Sequence, residues 1–276
     1  MNCNIKYWPN SLFIRLFEAG FLILLILSFS TFGQRKYSPS NFRVKTVIID
    51  AGHGGKDPGA VNGKTYEKDI VLAIALKLGN LIKTNLKDVK VIYTRDTDEF
   101  IELYERANIA NRNKANLFIS IHCNTGPLVS MIGTETYAMG IEKNRSNLEV
   151  SKRENSVVIL EENYLAKYDG FDPNSPEGNI IFSLYQNAYL DQSLNMAAKV
   201  EKQMKYKAKR NSRGVKQAGF LVLWKTAMPS ILIETGFLSN PDEKKYLCSD
   251  TGQTNIANSV LKAFMEFKSE LELSAK

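Results

Sequence analysis

Histidine is nearly absent from this 276-residue chain, which has only His53 and His122. Cysteine is almost as scarce. Of the three, Cys3 lies in the first few residues, and the two left in the body, Cys123 and Cys248, exclude a disulfide framework. No block of lysine and arginine interleaved with aromatics occurs. The formal net charge of +7 and a pI near 9.1 favour acidic partners, but nucleic acid ranks low among them. The apolar run Phe21–Leu27 is too short for a comfortable membrane span. Internal repeats and low-complexity tracts are also missing.

What precedes and follows that apolar run sets the compartment. Lys6 and Arg15 come before it, and small residues follow it to Gly33, the order of a secretory signal. Glu18 is unusual in a signal, so an uncleaved anchor is the alternative. Residues 1–33 therefore predict export to the periplasm or cell envelope, with membrane contact only through an uncleaved N-terminus. Residues 34–43 read as a linker around Ser38–Pro39–Ser40, and 44–276 as one domain.

Within that domain, strands alternate with helices. Val44–Asp50, Val89–Tyr93, Leu117–Cys123, Thr134–Ala138, Gly214–Leu223 and Ile231–Glu234 read as strands. A helix over Tyr66–Asn85 carries the stripe Ile70, Ile74, Leu78, Leu81 and Ile82. Asp96 or Asp98 is a candidate cap for the next helix, whose inner positions are Leu103, Ala107 and Ala110. Ser183–Lys207, Asn240–Leu247 and Thr254–Leu271 complete the helices. The alternation predicts an α/β fold with a mainly parallel sheet. Ile141–Leu190 breaks the rhythm as a polar insert with the turn cluster Asp172–Gly178.

Two strands deliver the chain's two histidines at their C-terminal ends, the edge where open α/β sheets bind ligands. Ile48–Ile49–Asp50 runs into Ala51–Gly52–His53–Gly54–Gly55, and Ile119–Ser120–Ile121 into His122. Glu67 opens the first long helix over its buried stripe. There it is either a charge complement to the helix N-terminus or a ligand aimed at the loop after the first strand. Two imidazoles and one carboxylate form a common ligand set for one catalytic Zn2+ ion, though neighbouring divalent ions also fit. Glu234 ends a third apolar run and suits the free carboxylate that must move a proton. Asp50 is either a residue orienting a ligand histidine or a turn residue. Cys123 alternates away from His122 and reads as a small core residue.

The segments IIDAGHGGKDPGA (48–60), YEKD (66–69), Tyr93–Asp96, Leu103–Arg106–Ala110–Asn111, SIHCN (120–124) and ILIETGFLSN (231–240) together resemble the zinc-dependent N-acetylmuramoyl-L-alanine amidases of the bacterial cell wall. One departure is Cys123, where that family often has alanine. The resemblance implies a mixed six-stranded sheet with flanking helices. It implies zinc on His53, Glu67 and His122, and Glu234 as acid and base. It also implies a peptidoglycan substrate, cut between the lactyl group of N-acetylmuramic acid and L-alanine. Residues 141–190 are similar to the segment that some cell-division amidases lay over the site as an autoinhibitory helix. On that reading Glu161 or Glu162 takes the open zinc position until an activator protein displaces the insert. The competing view of the insert is an excursion that widens the groove. Rival functions are a non-catalytic wall-binding or activator protein and a zinc peptidase acting within the stem peptide.

Overall fold

In the computed structural model, residues 43–141, 145–172, 175 and 188–274 are described; they belong to one compact unit, Asn41–Lys276. The expected signal or anchor, nearly all of the linker, most of the Asp172–Gly178 cluster and the start of the Ser183–Lys207 helix lie outside them. Among the described residues no helix is long and apolar enough to cross a membrane.

Six strands form one mixed sheet: β1 (Thr46–Ala51), β2 (Lys90–Tyr93), β3 (Leu117–Asn124), β4 (Thr134–Met139), β5 (Ser212–Ala218) and β6 (Ser230–Phe237), in the order β2-β1-β3-β6-β4-β5. The pairs β1–β2, β1–β3 and β3–β6 are parallel, as is β4–β5, whereas β4 runs antiparallel to β6. The tips of β1, β3 and β6 therefore reach one edge together.

Alternation along these strands sorts residues to two cores. Val47, Ile49, Ile119, Ile121, Cys123, Ile231 and Ile233 face one side. There they meet α1 (Glu67–Asn85), α4 (Leu190–Tyr206) and α5 (Asp250–Ser274) through Ile70, Ile74, Leu78, Met196, Val200, Val260 and Phe264. Burial of each such side chain contributes roughly 1.5–3 kcal/mol. Ile48, Phe118, Leu232 and Tyr137 face the other side. That side is covered by α2 (Leu103–Arg112), by the one-turn helix Leu221–Trp224 and by the insert. His122 and Glu234 share the parity of this second face, so the site and the insert lie on the same side.

The sequence expectation ran the fifth strand on to Leu223, but it ends at Ala218 and the chain then turns helical. A short apolar run has no period that separates strand from buried helix, and here Leu221 and Leu223 are buried against α2. Neither Asp96 nor Asp98 caps α2. Asp98 instead accepts from Gly55 N (2.8 Å) and Lys68 Nζ (2.7 Å). The α2 cap comes from far along the chain, in the insert: Glu161 Oε1 accepts from Leu103 N at 2.7 Å.

Within the insert, α3 (Arg145–Asn155) is followed by a 3-10 turn, Ser156–Leu160. Val150, Val158, Tyr168 and Phe171 root it in the second core. Asn155 latches it by hydrogen bonds to Gly219 O (2.7 Å) and from Leu221 N (2.9 Å).

Candidate metal centre and its acid

His53 stands in the turn after β1 with φ 61°, a left-handed conformation that costs about 1–3 kcal/mol for a residue with a Cβ. Two buried arginines hold that turn. Arg106 donates to Ala51 O (2.7 Å) and His53 O (2.8 Å); Arg95 donates to Ala51 O (2.9 Å) and Gly52 O (2.7 Å). Gly52 is required because a Cβ there would enter the His122 ring. At the start of α1 no side chain caps the helix. Glu67 N donates to Ala60 O (2.9 Å) instead, and this loop closure sets the Glu67 carboxylate beside His53.

Glu67 is fully buried; its Oε2 accepts from Ala60 N (2.8 Å) and its Oε1 from Cys123 N (2.7 Å). The same Oε1 lies 3.1 Å from His53 Nε2 and 3.3 Å from His122 Nδ1. A fourth group completes the cluster from the insert. Glu154 Oε2 lies 3.3 Å from His53 Nε2 and 3.1 Å from His122 Nδ1. The nitrogens are close to these oxygens, yet His53 Nε2, His122 Nδ1 and Glu154 Oε2 form no hydrogen bond. Their distances suit an ion pair, but the geometry of a hydrogen bond is not met.

Buried polar atoms left this way are costly unless something binds them. The four N···O separations of 3.1–3.3 Å are those of tetrahedral ligands about 2 Å from a shared centre, the bond length of zinc to imidazole nitrogen or carboxylate oxygen, and all four atoms lie within 4.8 Å of one another. The donor set therefore fits a divalent ion. His53 Nδ1 pairs with Asp57 Oδ2 at 2.7 Å, which turns Nε2 inward.

Burial opposes the protonated form of both imidazoles, but carboxylates outweigh it. Glu67 holds His53 well above its usual range, and Glu154 pushes His122 up to about 9. Both carboxylates are held low despite burial, Glu67 chiefly by the His53 charge and Glu154 by those of His122 and Arg153.

Glu234 pairs with His122 across β3 and β6 and is fully buried. Its Oε2 has no hydrogen-bond partner, while Arg153 Nη2 lies 3.3 Å from its Oε1. Burial, reinforced by the Glu154 charge and opposed by Arg153, pushes its carboxyl up to about 8.

The structure thus brings His53, Glu67 and His122 together, with Glu234 beside them. It does not bring Glu161 or Glu162. The Glu161 carboxylate accepts from Leu103 N and from the Tyr168 hydroxyl (2.7 Å), and Glu162 is exposed. The acid that the insert supplies is Glu154. Asp50 touches neither histidine; it binds Thr94 Oγ1 (2.6 Å), Ser120 Oγ (2.6 Å) and Arg106 Nη1 (2.8 Å). The residue that orients His53 is Asp57, four positions on, within the GGKDPG loop.

Burial acts to raise the Asp50 carboxyl, but the Arg106 charge and the two hydroxyls hold it below the usual range. Such a group stabilises the fold above the ordinary carboxylate value near 3.8, and its contribution fades as pH falls through the lowered value. Asp50→Asn strands the Arg106 charge and is expected to cost about 3–5 kcal/mol at pH 7. Urea unfolding should show the gap between variant and wild type shrinking toward pH 3. A gap independent of pH would mean that the ion pair contributes nothing.

A parallel-strand edge presenting two imidazoles and buried carboxylates that could hold a metal ion is an arrangement suited to a hydrolytic enzyme with an α/β fold. Residues 47–266 match the family described as N-acetylmuramoyl-L-alanine amidase, and the chain belongs to that family. It is 31% identical over 227 residues to the amidase AmiA of Escherichia coli strain K12, covering 81% of this chain and 76% of that one. Among solved structures, the catalytic domain of CwlV from Bacillus (Paenibacillus) polymyxa var. colistinus superposes with TM-score 0.60 at 31% identity, covering 84% of this chain and 99% of that one. CwlD from Clostridioides difficile, determined in complex with the GerS lipoprotein, gives 0.60 at 29%, with 82% and 99% covered. The protein is a peptidoglycan amidase with the mixed six-stranded sheet of its relatives.

Proposed function

We propose that His53, Glu67 and His122 hold one zinc ion and that Glu234 is the acid and base of the reaction. The bond cut is the amide between the lactyl group of N-acetylmuramic acid and L-alanine. One observation carries the reading: desolvated nitrogens and oxygens from β1, α1, β3 and the insert converge on a common point without bonding one another. Zinc there supplies Lewis acidity and makes water available as hydroxide near neutral pH. Asp57 fixes the His53 tautomer by accepting from Nδ1. Glu234 accepts the proton of the attacking water at its free Oε2 and returns it to the departing L-alanine nitrogen.

Glu154 takes the place that a three-ligand zinc site leaves to water, so the insert holds this enzyme shut. A partner protein that draws α3 aside switches it on, and the GerS complex of CwlD is a precedent for a protein bound to such an amidase. The substrate lies outside the cytoplasmic membrane, which fits the export read from residues 1–33.

Zinc-loaded Glu154→Ala protein, whose site the insert no longer fills, is expected to release stem peptides beginning with free L-alanine from purified sacculi, and a chelator should abolish the release. Mass analysis of the products checks this. Shortened peptides would mark a peptidase, and no products would mark a wall-binding protein.

A further inference from the structure

Arg153 is the insert's other group in the site, and its contacts are all with the tips of β3 and β6 or with its neighbour Glu154. Nη1 donates to Thr125 O (3.2 Å), and Nη2 donates to Asn124 Oδ1 (3.1 Å) and Glu234 Oε1 (3.3 Å). Nη2 also lies 2.9 Å from Glu154 Oε1. An N–H donor therefore sits on the acid, while the adjacent residue puts an oxygen between the two imidazoles.

We propose that Arg153 occupies a stem-peptide subsite, and that Asn124 Oδ1 and Thr125 O are the acceptors that bind stem-peptide N–H groups once α3 leaves. This rests on the amidase reading above. The geometry separates this from simple blockage. A plug needs only bulk, whereas Arg153 engages three acceptors that belong to the body of the enzyme and lie at the ends of two paired strands.

Asn124 is fixed for the task. Its Oδ1 also accepts from Thr125 N (2.8 Å), and its Nδ2 donates to Glu135 Oε2 (3.2 Å). The carbonyl end of the amide is therefore turned toward the donor by contacts that stay when the insert moves. Between the insert and the loop after β1, a cavity of about 390 Å³ lies against His53, Arg153, Glu154 and Leu160.

The test is the affinity of the zinc-loaded full chain for a synthetic stem tripeptide beginning with free L-alanine, by titration calorimetry. Arg153→Ala is expected to tighten binding at least about tenfold, because the occupant of the subsite is gone. Adding Asn124→Leu to Arg153→Ala should cancel the gain, with Asn124→Ala as the substitute if thermal melting shows the leucine variant unfolded. Equal affinity of wild type and Arg153→Ala would overturn the proposal, as would a gain that survives loss of the Asn124 amide. The same preparations, each with Glu154→Ala added, are assayed on sacculi. Release of L-alanine-led peptides without the Arg153 effect would sink the subsite alone, whereas no release by any preparation would sink the amidase reading.

Discussion

Glu234→Gln is expected to keep its zinc and to lose about 10²–10⁴-fold in kcat/KM. Both proteins are best compared in a Glu154→Ala background, so that the insert occludes neither. The argument is one of proton capacity. Glu234 is fully buried, with one carboxylate oxygen free of any hydrogen bond, and that burial is the chief cause that raises its carboxyl above the usual carboxylate range. A group of that kind exists in both protonation states near neutral pH, as a residue that takes a proton and gives it back must. Glutamine matches its size, sits on the same strand and leaves His53, Glu67 and His122 in place, but its amide can do neither step. Zinc content by elemental analysis and turnover on soluble muropeptides check this together. A variant that keeps wild-type turnover would remove Glu234 from the chemistry, and one that loses zinc would make it a ligand.

Glu154→Ala is expected to raise basal turnover at least about tenfold without any partner protein, an effect on the order of 1.4 kcal/mol or more. Glu154 Oε2 is 3.1–3.3 Å from both imidazole nitrogens. Because α3 is rooted through Val150 and latched by Asn155, that oxygen acts as a tethered ligand at high local concentration. Removing it opens the fourth position to water while His53, Glu67 and His122 remain. Turnover of sacculi by wild type and variant at equal zinc content decides the matter. Unchanged turnover would mean that the carboxylate does not gate the site. Lost zinc with lost activity would mean that Glu154 is a permanent ligand.

Which parts of this site could be read from the chain follows from how each side chain is delivered. His53, His122 and Glu234 end apolar runs, and a strand that must be buried announces where its tip falls. Glu67 was legible because its spacing to Ile70 and Ile74 placed it over a buried stripe. Glu154 gave no such signal. It sits in Ser151–Lys152–Arg153–Glu154–Asn155, whose polarity is that of any solvated helix face, and only tertiary packing turns it inward. The role of Asp50 was misread for a similar reason. Its charge partner, Arg106, lies 56 positions away on a helix whose approach to β1 no local pattern records. Asp57 was within reach of the sequence, at four positions from His53, but hydrogen bonding across a loop with several left-handed residues has no periodicity to betray it.

The cap that Glu161 gives α2 changes what the insert is. Tyr168, bonded to that same carboxylate, also accepts from Tyr104 N at 2.7 Å, so the stretch from Glu161 to Tyr168 is stitched to the helix whose Arg106 carries the His53 carbonyl. On the proposed reading α3 is a removable stopper, whereas Glu161–Tyr168 is masonry. A truncated enzyme lacking all of 142–180 would thus lose an obstruction and a buttress together. On the proposed reading of the insert, an opener would have to peel α3 away from Asn155 backwards and leave the wall behind it standing.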